Sequence, residues 1–435
     1  MKISALKYTV LSWVSGLTML ILLLMPFHAL LTVWGSSLFG HYMTFRLWKE
    51  ALLFISIIGA VYLLLVDHKI RSHTMSRRLV WLIMAYFAIN IVWGLLALNQ
   101  HDVTAKALGY GLIVNLRFLA FFLVAWAVTI RTAKLRRNWQ WLVLWPAGGV
   151  VIFGLLQVFV LPVDFLRHFG YSASTIFPYE TINHNINYVR VASTLRGANP
   201  LGAYLLIPIS LLSVLLLKPK ANWRQATLLS GCLLLLFFTF SRSAWIGAAL
   251  TIVVILVHNL RTKRAKQITL AVSAALVLFV VGLGVVFHEN PRFQNFVFHT
   301  QDNSAVKTTS NGGHTEAIKE GLNDFKREPL GQGVGTAGPA SVYNKKPPKI
   351  AENYFIQIAQ ETGIIGVTLF VLINLGVGYL LWLRRSDTLA FSLFACFIGL
   401  TFINLLSHAW TDDTVAYVWW RLAGIAMATL KKMND

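Results

Sequence analysis

The stretch ATLLSGCLLLLFFTFSRSAWIGAALTIVVILV, from Ala226 to Val257, decides the fold of this chain. It contains two apolar runs that meet at Ser241 and Arg242, and each approaches the length that crosses about 30 Å of hydrocarbon as a helix. Basic gaps flank the pair on both sides: Lys218, Lys220 and Arg224 before it, and Arg261, Lys263, Arg264 and Lys266 after it. Since basic residues of short loops stay in the cytoplasm, the pair predicts a transmembrane hairpin with Arg242 at its extracytoplasmic bend.

The same alternation extends along the whole chain. Apolar runs begin near Tyr8, Ala51, Leu79, Leu108, Trp141, Leu201, Ala226, Ser243, Ile268, Tyr354, Asp387 and Thr414, and every second gap between them is rich in Lys and Arg. The pattern predicts an all-α polytopic membrane protein of about 12 transmembrane helices, with both termini cytoplasmic. Residues 1–435 are expected to form a single integral membrane domain, because no cytoplasmic gap is long enough for a soluble one.

Composition separates two explanations of the basic character of the chain. A net charge of +21 and a pI near 10.1 also occur in nucleic-acid-binding proteins, but 56% hydrophobic residues and a mean hydropathy of +0.63 place this chain in lipid. We therefore expect no nucleic-acid partner. Cys232 and Cys396 both lie inside apolar runs, which predicts buried free thiols rather than a disulfide or a metal site.

Two of the gaps expected outside the cytoplasm are long, and they define extracytoplasmic loops at 161–200 and 288–353. In the second loop, Ile318, Leu322 and Phe325 follow helical spacing, which predicts a short amphipathic helix on the membrane or over a cavity. The glycine-rich segment from Gly331 to Gly338 is either a flexible loop or a phosphate cradle. KKPPK, at 345–349, is either solvated or in contact with anionic headgroups.

Candidate binding residues cluster in two motifs. RVASTLRGANPLGAYL, at 190–205, places Arg190, Arg196 and Asn199 before an apolar run, where free N–H groups of a helix start can add to an anion site. TFSRSAW, at 239–245, places Arg242 in the tight bend described above. An arginine at bilayer depth costs at least about 2.5–3.5 kcal/mol, so Arg242 has either a function or a position from which it snorkels to the headgroups.

Guanidinium groups bind phosphate or carboxylate oxygens with pairs of hydrogen bonds. Arginines fixed at the extracytoplasmic surface therefore suit a lipid-linked diphosphate, which carries its own leaving group where nucleotide-activated sugars are normally absent. Arg117 and Arg421 also lie inside apolar runs, and we expect them to be structural unless they face the same cavity.

The chain resembles the O-antigen ligase and polymerase superfamily of bacterial membrane glycosyltransferases, which are of the GT-C type. The motif at 190–205 is similar to the first arginine motif of the family, and 239–245 to the second. REPLGQGVG, at 327–335, followed by ENYFIQIAQETGIIG, at 352–366, resembles the third.

The resemblance implies a transferase of cell-envelope polysaccharide biosynthesis in the bacterial cytoplasmic (inner) membrane, multi-pass, with its active site facing the periplasm. The donor is a lipid-linked oligosaccharide on undecaprenyl diphosphate, held by Arg190, Arg196 and Arg242. Asn199 and Asn353 are expected to contact the substrates. The acceptor is a hydroxyl of a glycan or glycolipid, and the family is thought to invert the anomeric centre without a metal or other cofactor.

One departure from the family concerns the general base. Ligases typically have His-Asn before the tenth helix, whereas this chain has Glu352 and Asn353. A carboxylate serves as a general base when its environment adjusts its pKa, so Glu352 is the first candidate and His314 the second. The absence of the ligase histidine favours a polymerase or related transferase over a lipopolysaccharide ligase.

Two alternatives remain open at this point. SHAWTDD, at 407–413, offers His408, Asp412 and Asp413, which either bind a divalent cation or provide counter-charges for nearby arginines. A lipid-linked glycan flippase or a 12-helix transporter would also have both termini inside. Transporters of this size often consist of two related halves. The loops at 161–200 and 288–353 do not occupy corresponding positions in two halves, which favours an enzyme.

Overall fold

The computed structural model describes residues 2–182, 185–260, 262–264, 267 and 310–428. In the first part of the chain the helices are α1 (Lys2–Leu24), α2 (His28–Phe39), α3 (Tyr42–Arg46), α4 (Trp48–Val66), α5 (His68–Met75), α6 (Arg78–Asn99), α7 (Ala105–Thr129) and α8 (Lys134–Phe159). A hairpin follows, made of β1 (Glu180–Ile182) and β2 (Asn185–Arg190). The later helices are α9 (Ala198–Leu216), α10 (Trp223–Phe238), α11 (Arg242–Asn259), α12 (Ser310–Arg327), α13 (Tyr354–Leu383), α14 (Thr388–Leu406) and α15 (Asp413–Met427).

The all-α polytopic membrane fold is confirmed. Within the described residues, nine helical stretches are long and apolar enough to cross a membrane, one of them formed by α1 and α2 together. The apolar run that begins near Ile268 lies outside the described residues, as do Arg261, Lys266, Lys431 and Lys432. Each of the other predicted runs falls on a helix, although α10 and α15 are shorter than a usual span.

Ion pairs gather the predicted cytoplasmic gaps at one end of the bundle. Asp67 ends α4 and caps α5, and its carboxylate accepts hydrogen bonds from Lys7 at 2.7 Å and from Arg131 at 2.7 Å. Arg136, at the start of α8, pairs with Asp387 before α14 at 2.5 Å. Gaps that alternate along the sequence thus meet in space, and we call this the basic end.

We expect Asp67→Asn to destabilise the protein. The Asp67 side chain is 0% exposed, and the hydrogen bonds from Arg131 and Lys7 outweigh its burial and hold its pKa below the ordinary value. Each lost hydrogen bond to a charged group costs about 1.5–3 kcal/mol, which predicts a clearly lower thermal midpoint in detergent. Because the folded-state pKa is depressed, this stabilisation is present above the unfolded pKa and is lost as the pH falls through the folded one.

Asp102→Asn is the matched control for this measurement. Asp102 pairs with Lys346 at 3.1 Å, but the two side chains are 44% and 71% exposed, and such a pair contributes little. Equal midpoints for both variants at neutral pH would contradict the structural role of Asp67.

The centre of the bundle is formed by α7, α9, α14 and α15. Residues Thr414–Met427 of α15 are all buried, and α15 packs along α7 with Gly424 against the α7 backbone at Phe122. Arg421 is fully buried and stacks on the Phe121 ring, 3.0 Å from its centroid. The expected buried free thiols are Cys232 and Cys396.

Candidate functional site

A polar cavity of about 380 Å³ opens at the end of the bundle opposite the basic end. The residues that line it come from four parts of the chain: His28, Ala29, Thr32, Tyr42 and Arg46; Ala173, Thr175, Ile176, Phe177 and Glu180; Arg196; and Asp412, Asp413 and Thr414. Arginines, carboxylates, hydroxyls and aromatic rings thus face one space. We call it the polar cavity.

A buried charge cluster lies beside this cavity, and two of its members, His28 and Asp413, line it. Asp413 contacts Lys49 at 3.0 Å, His28 at 3.2 Å and the guanidinium of Arg117. Glu50 pairs with the same Lys49 and Arg117, at 2.9 and 3.0 Å. The cluster balances two cations against two carboxylates and joins α2, α4, α7 and α15, so Arg117 has the structural role that the sequence suggested.

Arg196 has its guanidinium at the cavity wall. Its Nε donates to Asp412 at 2.9 Å, and Asp412 in turn accepts hydrogen bonds from the N–H groups of Thr414 and Val415 as the N-cap of α15. The Arg196 side chain is 46% exposed although Asp412 is only 5% exposed. Burial would lower the pKa of Arg196, but the neighbouring Asp412 and Asp413 carboxylates raise it, so the group stays cationic.

Arg190 is held by the second motif. It ends β2, its Nε donates to the carbonyl of Thr239 at 3.0 Å, and Nη2 donates to Oδ1 of Asn199 at 2.6 Å. The neighbouring Val191 N–H donates to the carbonyl of Phe238 at 3.1 Å. Burial lowers the pKa of Arg190 below the usual value for arginine, and Glu180 opposes that shift. Asn199 therefore acts first as a partner that orients Arg190.

Arg242 lies next to this arrangement. It is the first residue of α11, half-buried, after a bend in which Phe240 takes a left-handed φ of 50°. Arg190 donates to the carbonyl of Thr239 at 3.0 Å, and Thr239 is three residues before Arg242, so the two arginines meet at one bend. Two arginines at one bend can bind a multiply charged anion with several hydrogen bonds.

Sequence reasoning missed Arg46 and Glu180. Arg46 ends α3, donates from Nη2 to the Tyr110 hydroxyl, lies over that ring and is one of the residues that line the cavity. Glu180 lies on β1 and connects the polar cavity to Arg190, 3.7 Å away. Glu180 is one of the few acidic residues in the loop at 161–200, and this feature could have pointed to it. Its pairing with β2 could not be predicted from the sequence.

An apolar groove of about 290 Å³ runs beside Arg190. Its lining is mainly aliphatic and aromatic: Gln157, Val158, Leu161, Pro162, Val163, Phe165, Leu166, Pro178, Tyr179, Asn187, Val189, Arg190, Val191, Ala192, Phe238 and Phe240. Among these lining residues, Arg190 carries the positive charge. Such a groove suits an apolar chain that ends in an anionic group.

The glycine-rich segment is neither a flexible loop nor an open phosphate cradle, and both expectations for it were wrong. Gln332 and Gly333 donate their N–H groups to the carbonyls of Gln360 and Glu361, each at 2.8 Å. Gly335 N–H donates to the Glu361 carboxylate at 2.8 Å, and Asn115 donates to the same carboxylate at 2.7 Å. The N–H groups that a phosphate cradle would use already donate to α13, and we call this contact the glycine clamp.

The glycine clamp closes on a kink of α13. Gly363 has a φ of 63° inside the helix, and the N–H of the next residue, Ile364, donates to the carbonyl of Pro329 at 2.8 Å. Gly331, with a φ of 88°, lies against the Gly363 backbone so closely that a Cβ has no room. The clamp therefore fixes the first turns of α13, which follow Glu352 and the N-cap residue Asn353.

We expect Gly331→Ala to destabilise the protein by at least about 1 kcal/mol, because alanine is strained at this φ and its Cβ meets backbone. The expected result is a lower thermal midpoint together with reduced function. Gly148→Ala in α8 is the control, since nothing lies within 4 Å of its added Cβ and alanine favours helix. A Gly331→Ala protein as stable as the Gly148→Ala protein would show that the clamp contributes little.

The structure describes the surroundings of one of the two candidate bases, Glu352. Glu352 is half-buried, has a left-handed φ of 51° and is not among the residues that line the cavity. Asn353 caps α13 through Phe355 and Ile356, and its Nδ2 donates to the carbonyl of Leu405 at 2.8 Å. His314 falls within α12, in the part whose side chains lie outside the description.

The loop helix α12 forms as predicted. It packs through Gly321 against Ala351 and Ile356 near the start of α13, while Leu322 is 41% exposed. The basic stretch after the clamp is held by ion pairs, Lys346 with Asp102 at 3.1 Å and Lys349 with Asp324 at 2.8 Å.

Asp412 and Asp413 act as counter-charges in this structure, for Arg196 and for Arg117 with Lys49. No group of three His, Cys, Asp or Glu side chains in the described ranges is arranged to hold a metal ion. These ion pairs agree with the counter-charge alternative for the segment at 407–413.

These features define a class: a multi-pass membrane protein whose arginine motifs converge at the end of the bundle opposite its basic gaps. Comparison with known proteins narrows the class. The O-antigen ligase family model matches residues 225–371. An O-antigen polymerase of Salmonella muenchen is 25% identical over 162 residues, which is 34% of this chain and 41% of that polymerase. Both findings support the O-antigen ligase and polymerase superfamily and confirm the resemblance, and they point to a bacterial membrane protein.

Proposed function

We propose that this protein transfers a glycan from undecaprenyl diphosphate to an acceptor hydroxyl at the periplasmic face of the bacterial inner membrane. One observation carries the proposal: Arg190, Arg196 and Arg242, from two separate motifs, lie at one end of the bundle beside a polar cavity and an apolar groove. The match to the O-antigen ligase family supports the same conclusion.

The apolar groove and the polar cavity suit the two halves of such a donor. A polyprenyl chain would lie in the groove, the diphosphate at Arg190 and Arg242, and the sugar would extend towards the polar cavity. Carboxylates, hydroxyls and the Tyr42 and Phe177 rings of that cavity are groups that bind sugars. Arg196 would assist at the junction between diphosphate and sugar.

In the proposed reaction, the acceptor oxygen bonds to the anomeric carbon while the bond from that carbon to the diphosphate oxygen breaks. The electron pair stays with the diphosphate, where charge develops and where fixed guanidinium groups have their largest effect. The proton of the acceptor hydroxyl passes to the Glu352 carboxylate as general base. Attack from the face opposite the leaving group inverts the anomeric centre without a metal ion.

The test is transfer by the purified protein in detergent or nanodiscs, with an undecaprenyl-diphosphate oligosaccharide supplied with and without a separate acceptor. Ladders that grow on the lipid donor alone would identify a polymerase. Product only with the added acceptor would identify a ligase-type transferase. Translocation of labelled donor in proteoliposomes without any transfer would contradict the proposal and favour a flippase.

A further inference from the structure

Glu180 occupies a position that the proposed function does not explain. Its carboxylate lies between the polar cavity and Arg190, with Oε2 3.7 Å from Arg190 Nη1 and 3.4 Å from the N–H of Ala198, the first residue of α9. A helix start and an arginine together attract an anion. The anion that they hold in this structure is a carboxylate of the chain itself.

The hairpin places Glu180 there by register. Glu180 on β1 is the strand partner of Arg190 on β2, so the pairing carries the carboxylate to the guanidinium. Gly197 leaves the room that the carboxylate occupies, because a Cβ at this position would come within 2.5 Å of Glu180 Oε1. The strand pairing and the small Gly197 thus both favour the position of the Glu180 carboxylate beside Arg190.

The contacts of Glu180 are long compared with the other ion pairs of this chain. Arg196 and Asp412 are 2.9 Å apart and Arg131 and Asp67 2.7 Å apart, whereas the distance from Glu180 to Arg190 is 3.7 Å. The Glu180 side chain is also 41% exposed, although Arg190 is only 16% exposed. A stronger anion replaces the carboxylate of a long, partly exposed ion pair more easily than the carboxylate of a short, buried one.

We propose that the Glu180 carboxylate occupies one oxygen position of the donor's diphosphate and is displaced when the donor binds. This inference rests on the proposed function, because Glu180 would compete with the donor diphosphate for the same site. Glu180 then neutralises the charge of Arg190 in the free protein. A diphosphate has to bind more strongly than the Glu180 carboxylate in order to displace it. Displaced into the cavity that it lines, the carboxylate becomes available to a sugar hydroxyl.

The experiment measures binding of inorganic pyrophosphate to purified full-length protein by calorimetry, for wild type, Glu180→Gln, Asp164→Asn and Arg242→Ala. Glutamine keeps the size and removes the charge, so Glu180→Gln is expected to bind pyrophosphate about five- to tenfold more tightly and to lower the KM for donor. Asp164 is half-exposed on the same loop and pairs with Arg167 at 3.5 Å. The Asp164→Asn variant therefore controls for the general electrostatic effect of removing one negative charge from this loop. It is expected to change affinity less than twofold.

Unchanged or weaker binding by Glu180→Gln would overturn the inference. An equal gain in Asp164→Asn would also overturn it, because the effect would then be a long-range field. A collapse of kcat at unchanged affinity would show that Glu180 is a reacting group instead. Failure of the proposed function has a different signature: Arg242→Ala would bind pyrophosphate as well as wild type, or no variant would bind it.

Discussion

Arg242→Ala is expected to reduce glycan transfer by about 100- to 1,000-fold while the protein still folds and inserts, because one fixed donor to a developing oxyanion is worth that much. Arg242 begins α11 beside Arg190, whose charge acts on it, so an anion between them is stabilised by both. Under the proposed function the loss should appear mainly in kcat, since the negative charge on a leaving diphosphate would grow in the transition state.

Arg242→Lys and Arg224→Ala complete this test. Lysine keeps the charge but cannot form the two parallel hydrogen bonds of guanidinium, so an intermediate loss is expected. Arg224 lies at the start of α10, towards the basic end and over the Trp223 ring, and its removal should leave transfer unchanged. Full activity in Arg242→Lys would argue against bidentate binding, and full activity in Arg242→Ala would remove the diphosphate role.

Glu352→Gln is expected to have an effect at least as large, a loss of about 100- to 10,000-fold in kcat, because glutamine cannot accept the proton of the acceptor hydroxyl. The reaction should be followed across a pH range with donor and acceptor saturating. If Glu352 is the base, the acid limb of the wild-type profile is expected to vanish in the variant.

The backbone at Glu352 offers a way to separate chemistry from folding. Its φ of 51° suits glycine better than glutamate, so Glu352→Gly should be at least as stable as wild type and yet inactive. Glu316→Gln, on an exposed position of α12, is the charge-matched control and should keep full activity. Activity retained in both Glu352 variants would exclude this base and make His314 the next residue to test.

The helices and their alternating ends were predictable because lipid imposes a simple rule on sequence. Backbone groups in hydrocarbon must bond within a helix, and basic residues stay on one side, so apolar runs and Lys or Arg gaps are enough. The contact of Lys7 and Arg131 with Asp67 is the spatial result of that rule. The bend at Arg242 was equally readable, since two apolar runs meet there without a gap.

The rest of the site depends on contacts between distant segments. Glu180 faces Arg190 through a short hairpin, and Arg46 reaches the cavity from α3, at the far end of the sequence from Asp413. Glu361 lies inside the third motif, but the sequence does not show that its carboxylate accepts hydrogen bonds from the N–H of Gly335 and the amide of Asn115. Local periodicity carries no information on such partners.

The glycine clamp also bears on how relatives of this protein diverge. Its hydrogen bonds run mostly between backbone groups, and its glycines are required by left-handed φ values and by lack of space rather than by any ligand. A glycine pattern of this kind therefore specifies an architecture rather than a substrate. Under the proposed function, substitutions in the lining of the polar cavity would change which sugar binds, whereas substitutions at Gly331, Gly333 or Gly335 would first disturb the backbone.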